Sequence, residues 1–464
     1  MSQCHGFLEA LEGRQLLSGS FPVTVGTPQG DGSKGVAADD AGTIYVVGNV
    51  ANVGQTSSAD DANANLGFLS RYNADGSLVW TRYFGGAIPD KVATDGAGNV
   101  FIAGTFSNTV DFDPRRGVHN MTSVGGTDGF VARLSAKGNL VYVKTIGGAG
   151  DDTASGLAVG HNGEVRFGGG FVGRSNFNSD GVFRISSSGA RDGYLAALDT
   201  DGTFLWAGSF GGTGSETLRD MALDDNLNVL ATGRYNGVVD FDPTHGVSNN
   251  NIAPADEAFT LKWTATGGFV FAAGFGGAGV DFATGVTADR AGNVYTIGNF
   301  ESSGDFDPSN STFTLNGAST GTIFVSKLNS AGTFVYAKAL GGASSTAVGP
   351  NQISVDKHQN VYITGRFSGT QDFDPGAGTS NLVSDGADDV FVSKLDANGG
   401  LVFAKSIGGT GDAFPTGSVL DHTGNILVTG AFESDITFPT SITKTSAGSS
   451  DLFLEKFDAS GNPF

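Results

Sequence analysis

This chain has a single cysteine, Cys4, among 464 residues. No intrachain disulfide can form, and one thiolate cannot build a cysteine zinc site. Bases are scarce: Lys and Arg number 26 against 47 Asp and Glu, for a net charge of −21. Such a surface repels phosphate backbones and anionic lipid, which argues against nucleic acid and membrane surfaces as partners and makes cations the natural small ones. No apolar run reaches the length of a membrane span. Helical periodicity is nearly absent beyond the first twenty residues. There is no G-x-S-x-G elbow, no H-E-x-x-H and no P-loop. Glycine-rich stretches such as Gly147-Gly148-Ala149-Gly150 lack the following helix that a phosphate cradle needs, and read as strand ends.

What is present is repetition. Gly98-Asn99-Val100-Phe101-Ile102-Ala103-Gly104-Thr105-Phe106 returns as Gly292-Asn293-Val294-Tyr295-Thr296-Ile297-Gly298-Asn299-Phe300. The apolar run closes on Gly48, Gly104, Gly169, Gly233, Gly298, Gly365 and Gly430, at spacings of 56, 65, 64, 65, 67 and 65. A period that long, filled with strands, implies stacked β units, because one unit cannot bury its faces alone. The 74 glycines fall at fixed places in each copy, as turn residues do. The 35 phenylalanines can supply a large core.

One copy reads as four strands. Lys91 to Asp95 is strand A, and Val100 to Phe106 is strand B after a Gly/Asn turn. A long polar loop leads to strand C, Phe130 to Leu134, and a second glycine turn to strand D, Leu140 to Ile146. Arg82, Lys144, Lys338 and Lys405 near the ends of D strands suit an outermost strand, which needs charge against edge-to-edge pairing. That puts D at the rim and A at the axis. The last copy stops after strand C at Gly461-Asn462-Pro463-Phe464, while Phe21 to Gly26 aligns with a strand D. The first strand is therefore expected to complete the last sheet. The predicted fold is an all-β, seven-bladed β-propeller of four-stranded antiparallel blades over residues 21–464, closed by its N-terminal strand.

The pattern D-x-x-G-N-V-Y-x-T-G, then D-x-F-V-x-K-L, then G-x-x-V-x-x-K-x-x-G-G resembles the bacterial propeller repeats called SBBP repeats. The resemblance covers roughly residues 21–464 and implies an extracellular propeller. The third copy departs from it at Gly163-Glu164-Val165-Arg166-Phe167 and at Asn176-Phe177-Asn178-Ser179. Residues 1–20 lack the apolar core of a secretory signal. Leu11-Glu12-Gly13-Arg14-Gln15-Leu16-Leu17-Ser18 is similar to the L-E-P-R-x-L-L-S segment of planctomycete surface and secreted proteins, with Gly13 in place of proline. That likeness implies export, to the cell surface or beyond.

Antiparallel blades sort the connections by face. The A–B and C–D turns emerge on one side, where Asp39, Asp95, Asp224, Asp289, Asp356 and Asp421 are expected to accept backbone amides. The B–C and D–A loops emerge on the other. Four B–C loops carry Asp-Phe-Asp-Pro: Asp111 and Asp113, Asp240 and Asp242, Asp305 and Asp307, Asp372 and Asp374. The D–A loops add Asp90, Asp152, Glu216, Asp281 and Asp412. Residues two apart on an extended backbone point the same way, so each aspartate pair offers the oxygen ligands calcium accepts. The same motif also reads as a turn, with Asp capping, Phe anchoring and Pro stiffening it. Both readings stand on the residues alone, and the motif lacks the D-x-D-x-D-G pattern of familiar calcium loops. The six histidines read as solvated loop residues, and Trp80, Trp206 and Trp263 as packing between blades.

Alike groups repeated in every copy suit a non-catalytic module that presents an acidic loop face to a protein or glycan, as a monomer, because an active site gathers unlike groups at one point. The alternative is a carbohydrate-active hydrolase or lyase, with two carboxylates from different blades working as acid and base in the axial funnel.

Overall fold

The computed structural model describes residues 21–25, 31–50, 66–115, 117–177, 183–243, 249–250, 255–319, 321–341 and 348–464. The first twenty residues, with their export-like motif, lie outside them, as does His245. Every described element is a strand, and the strands form seven antiparallel blades in the order A-B-C-D. The A strands are Asp31–Ala38, Ala87–Thr94, Gly156–Val159, Thr217–Leu223, Phe282–Ala288, Val348–Val355 and Ala413–Leu420. The B strands are Ile44–Val50, Val100–Asp111, Val165–Phe171, Val229–Tyr235, Val294–Phe300, Val361–Phe367 and Ile426–Phe432. The C strands are Leu66–Tyr72, Asn120–Leu134, Asp192–Leu198, Glu257–Trp263, Thr322–Leu328, Asp389–Leu395 and Asp451–Phe457. The D strands of blades 1 to 6 are Leu78–Gly85, Leu140–Gly148, Phe204–Gly212, Phe269–Gly277, Phe334–Leu340 and Leu401–Ile407.

Blade 7 takes its fourth strand from the other end of the chain. Val23–Val25 pairs antiparallel with the last C strand, Val23 opposite Leu454 and Val25 opposite Leu452. Phe21 and Val23 are buried there against Leu427, Leu452 and Leu454. The ring is thus fastened as the alignment of Phe21 to Gly26 with a D strand predicts, and blade 7 gains the outer strand its own repeat lacks. Contacts between successive A strands, including blade 7 to blade 1, place A innermost.

The repeated glycine has a different meaning from the one its position suggests. Strand B does not end there: it runs two residues further, to Phe300 or Phe367, in blades 5 and 6, and as far as Asp111 in blade 2. A Cβ at Gly48, Gly104, Gly169, Gly233, Gly298, Gly365 or Gly430 would strike a carbonyl oxygen of the neighbouring A strand: Gly32, Ile88, Thr153, Thr217, Phe282, Gly349 and Phe414 in turn. The carbonyl comes so close because the A strand carries one extra residue just beyond it, a β-bulge, in six of the blades. Glycine is kept because the bulge leaves no room for a side chain.

Among the described residues, the B–C loops of blades 2 to 7 are hairpins rather than open loops, and those of blades 3 to 7 lie over the blade before them. Arg174–Asn176 pairs with Gly147 and Gly148 at the end of the previous D strand, Val239–Asp240 with Gly211 and Gly212, and Ser303–Asp305 with Gly276 and Gly277. The Gly408–Thr437 bridge and the Gly341 amide donating to the Asp372 carbonyl repeat the arrangement. The double glycines are sites of close approach. A Cβ on the second would meet the incoming hairpin, and one on the first would meet a carboxyl group from the start of strand C, as at Gly147 under Asp128 and Gly408 under Asp389. The hairpin phenylalanines Phe112, Phe241, Phe306 and Phe373 are fully buried. Phe241 stacks on Phe210 and Phe306 on Phe275, both from the preceding blade. Such rings lock adjacent blades through aromatic contacts worth about 1 kcal/mol each beyond their burial.

Candidate functional site: the axial mouth on the long-loop face

The bulges build the axis. Their extra residues are Lys34, Asp90, Arg219, Thr284, Asn351 and Thr416, and Ser155 holds the same place just before the A strand of blade 3. The next register reads Gly35, Lys91, Gly156, Asp220, Gly285, Gln352 and Gly417. Glycine in four blades leaves room for three long polar side chains. Lys91 Nζ lies 3.3 Å from Asp220 Oδ1, reaching from blade 2 to blade 4. Gln352 of blade 6 donates to Asp220 Oδ2 at 3.1 Å, as does the Val286 amide of blade 5. Asp220 is buried, at 4% exposure, yet four groups from four blades meet there. One register toward the loop face, Lys34 pairs with Asp90 at 3.3 Å between blades 1 and 2.

Around this centre the loop face carries guanidinium groups. Arg219 is exposed and lies over the Phe282 ring, 5.2 Å from its centroid. Surrounding atoms and the nearby Arg234 hold its pKa below the ordinary arginine value. Arg234 pairs with Asp256 at 2.8 Å, and Arg366 with Asp388 at 3.0 Å. Arg191 donates to Thr153 Oγ1 at 2.8 Å and to the Gly170 carbonyl at 3.2 Å.

The acidic residues singled out by sequence occupy other roles. Asp305 Oδ1 accepts the amides of Asp307, at 3.1 Å, and Phe313, at 2.9 Å. Asp111 does the same for Asp113 and His119, and Asp372 for Asp374 and Ser380. Asp240 accepts the Asp242 amide at 3.0 Å. The second aspartates Asp113, Asp307 and Asp374 cap Arg115, Ser309 and Gly376. Each motif thus caps its own backbone, as the turn reading of the sequence expects. Among the described residues, no three His, Cys, Asp or Glu side chains gather as a metal would need.

Three of the five D–A acids are not displayed on the loop face. Asp152, Glu216 and Asp281 are wholly buried, Asp412 is half-buried, and Asp90 belongs to an A strand. Asp152 accepts Gly148 and Val172 amides and the Ser175 hydroxyl. Glu216 faces Asp192, and Glu257 faces Asp281. Burial, then the neighbouring carboxyl, pushes Glu216 and Glu257 each up to about 8. A shallow polar hollow of about 250 Å³ beside this region is lined by Ser188, Asp192, Ser209, Asp240 and Asp242.

On the turn face, Asp39, Asp95, Asp224, Asp289, Asp356 and Asp421 cap their turns as expected. Asp224 Oδ1 takes the amides of Asn226 and Asn228, both at 2.9 Å, and Asn228 Nδ2 donates to Oδ2. The lysine of strand C completes the unit: Lys262 meets Asp224 at 2.9 Å and Lys456 meets Asp421 at 3.0 Å. In blades 4 and 7 the Asp, Asn and Lys of the repeat pattern thus form one structural latch, whereas Lys327 donates to Gln359 and Lys394 to the Ala459 carbonyl. His119, His161, His358 and His422 are exposed. Trp206 of blade 3 packs beside Trp263 of blade 4, and Trp263 is fully buried.

Sequence reasoning missed the axial groups because the repeat hides them. A faint signal exists: at the register after the bulge, Lys91, Asp220 and Gln352 stand against a background of glycine.

No family model matches the chain. Residues of the chain are similar to the regulatory protein FlaEY of Caulobacter vibrioides, 28% identical over 201 residues, covering 41% of this chain and 20% of that protein. An uncharacterized WD repeat-containing protein of Acanthamoeba polyphaga mimivirus, L264, is 23% identical over 241 residues, covering 46% of this chain and 17% of the other. The matched segments thus span about a fifth or less of these curated relatives. Among solved structures, an apocarotenoid oxygenase mutant from Synechocystis aligns over 95% of this chain and 96% of its own, at 13% identity and a TM-score of 0.40. A protein of unknown function from Bacteroides caccae aligns over 72% and 88%, at 10% identity and 0.36. The propeller assignment rests on the strand pairing of this chain itself. No helix among the described residues is long and apolar enough to cross a membrane.

Proposed function

We propose that this chain is a non-catalytic binding or scaffolding module that docks a protein or glycan on its long-loop face. The observation that carries the reading is the state of the axis. Among the described residues, the carboxylates in the A-strand bulge registers are engaged, Asp90 by Lys34 and Asp220 by Lys91, Gln352 and the Val286 amide. A glycosidase in the funnel needs two carboxyl groups turned toward substrate as acid and base. These two serve the ring instead. The docking face then has an acidic periphery of hairpin tips and a centre that holds Lys34 and Arg219. The partial match to a WD repeat-containing protein agrees with a scaffold role.

The N-terminal motif supports export to the cell surface or beyond, and the acidic surface supports a monomer in solution. At the Asp-Phe-Asp-Pro tips backbone capping and calcium are rival readings, and chelation decides between them. The proposal as a whole is tested by screening the purified protein against glycan and peptide arrays, beside hydrolase and lyase assays on the same glycans. Saturable binding without turnover supports it. Turnover that is lost on Asp90→Asn or Asp220→Asn overturns it in favour of the enzyme.

A further inference from the structure

We propose that the sector of the axial mouth formed by Arg191, Arg219 and Arg234 is a carboxylate-binding site, which takes the acidic side chain of an extended peptide. The inference rests on the long-loop face being the docking face. It starts from Arg219. This residue fills the bulge register of blade 4, where a strand turns a side chain toward the axis. It is exposed, and among the described residues no carboxylate lies within ion-pair distance of it. Its neighbour Asp220 is turned away, to Lys91, Gln352 and the Val286 amide. The Arg219 guanidinium lies over the Phe282 ring, a contact that holds the side chain in place.

Two further guanidiniums stand on the same side. Arg234 is on the strand paired with that of Arg219, opposite Thr217, and is close enough to depress the Arg219 pKa. Arg191 abuts the loop that leads into the same A strand, its carbonyl accepting the Glu216 amide. Among the described residues its side chain donates to neutral acceptors, Thr153 Oγ1, the Gly170 carbonyl and, at 3.5 Å, the Asp151 carbonyl, with the Asp152 carboxyl nearby. Asp151 turns its carboxylate to the Thr127 amide instead. Three guanidiniums are thus matched by one ion-paired carboxylate, Asp256. In a chain with 47 acids and 26 bases, an exposed arginine with no ion-pair partner among the described residues is against the composition. An incoming anion relieves the mutual repulsion of Arg219 and Arg234, and a carboxylate fits the guanidinium fork with two parallel hydrogen bonds.

The surroundings favour a peptide as its source. Ile88, Phe282 and Phe414 occupy one register of the A strands of blades 2, 5 and 7, and all are half-buried. With Phe282 beside Arg219, the mouth suits a strand-like peptide in which apolar residues flank the acidic one. The anchored Arg234 and Arg191 set the width of the sector, and Arg219 supplies the contact that a ligand completes.

The test uses the full chain and a fluorescein-labelled peptide that alternates glutamate with phenylalanine, beside its glutamine counterpart. Polarisation should show the glutamate peptide bound and the glutamine peptide weaker by about tenfold or more, the value of one charge-assisted hydrogen bond. Arg219→Gln should produce a similar loss with the melting temperature unchanged, and Lys144→Gln on the outer strand should have no effect. Equal binding of the two peptides, or full binding by Arg219→Gln, overturns the site. Stronger competition by inorganic phosphate than by acetate overturns the choice of carboxylate. If an array ligand binds the loop face and is indifferent to Arg219→Gln, the inference fails while the docking face stands. If no ligand binds the loop face, both fail.

Discussion

Lys91 and Asp220 are 129 positions apart in sequence and two blades apart in space, yet they meet at 3.3 Å across the axis. Asp220 is also the acceptor for Gln352 and the Val286 amide. Removing its carboxylate strands three donors at once. Asp220→Ala is expected to lower the unfolding free energy by about 2 kcal/mol, the cost of leaving buried polar groups unpaired. Urea titration checks this. A double-mutant cycle with Lys91→Met should show coupling, since the two side chains touch.

The glycines of strand B make a second prediction. Gly298→Ala drives a methyl group into the Phe282 carbonyl and the Phe324 ring. The backbone must shift, at a cost of about 2 kcal/mol or more. Gly85→Ala meets nothing within 4 Å and involves no positive φ, so its melting temperature should match that of the parent.

The buried carboxyl groups give a pH dependence with a defined sign. Glu216 and Glu257 titrate at about 8 in the fold, well above an unfolded glutamate near ~4.3. Between these values the folded state holds more protons than the unfolded, so stability falls as pH rises. The contribution is complete below the unfolded pKa and is lost as pH passes through the folded one. Glu216→Gln keeps the group neutral while Asp192 still faces it. It should therefore raise the melting temperature more at pH 9 than at pH 5, by on the order of 2 kcal/mol in stability. An equal change at both pH values would contradict the burial account.

The Asp-Phe-Asp-Pro tips test calcium against hydrogen bonding. Asp305→Ala removes the acceptor of two amides and should cost about 1 kcal/mol. With capping as the source of that stability, EDTA should leave the parent's melting temperature unchanged. A chelator-induced fall that Asp372→Asn with Asp374→Asn abolishes would establish calcium instead.

The architecture was legible because it is periodic. Seven glycines at near-equal spacing, four strands per copy and an orphan first strand lead to the ring. The turn aspartates were legible too, since Asp followed four residues later by Asn is a local signal. The axis was not. Lys91, Asp220 and Gln352 sit in strands whose neighbours in sequence say nothing of each other, and only ring closure brings them together. The D–A acids misled for the opposite reason: Glu216 and Asp281 look like loop residues, but the hairpin of the next blade folds over them. The hairpins themselves were hidden because their glycine partners lie on the preceding repeat.

Ring closure underlies the sorting of loops to one face and the meeting of side chains at the axis. It is tested most directly by comparing the thermal unfolding of two truncations, one lacking residues 1–17 and one lacking residues 1–27. The shorter deletion keeps Val23 opposite Leu454 and should melt with the parent. The longer one strips the outer strand from blade 7 and should melt far lower. Identical melting of the two would contradict the closed propeller.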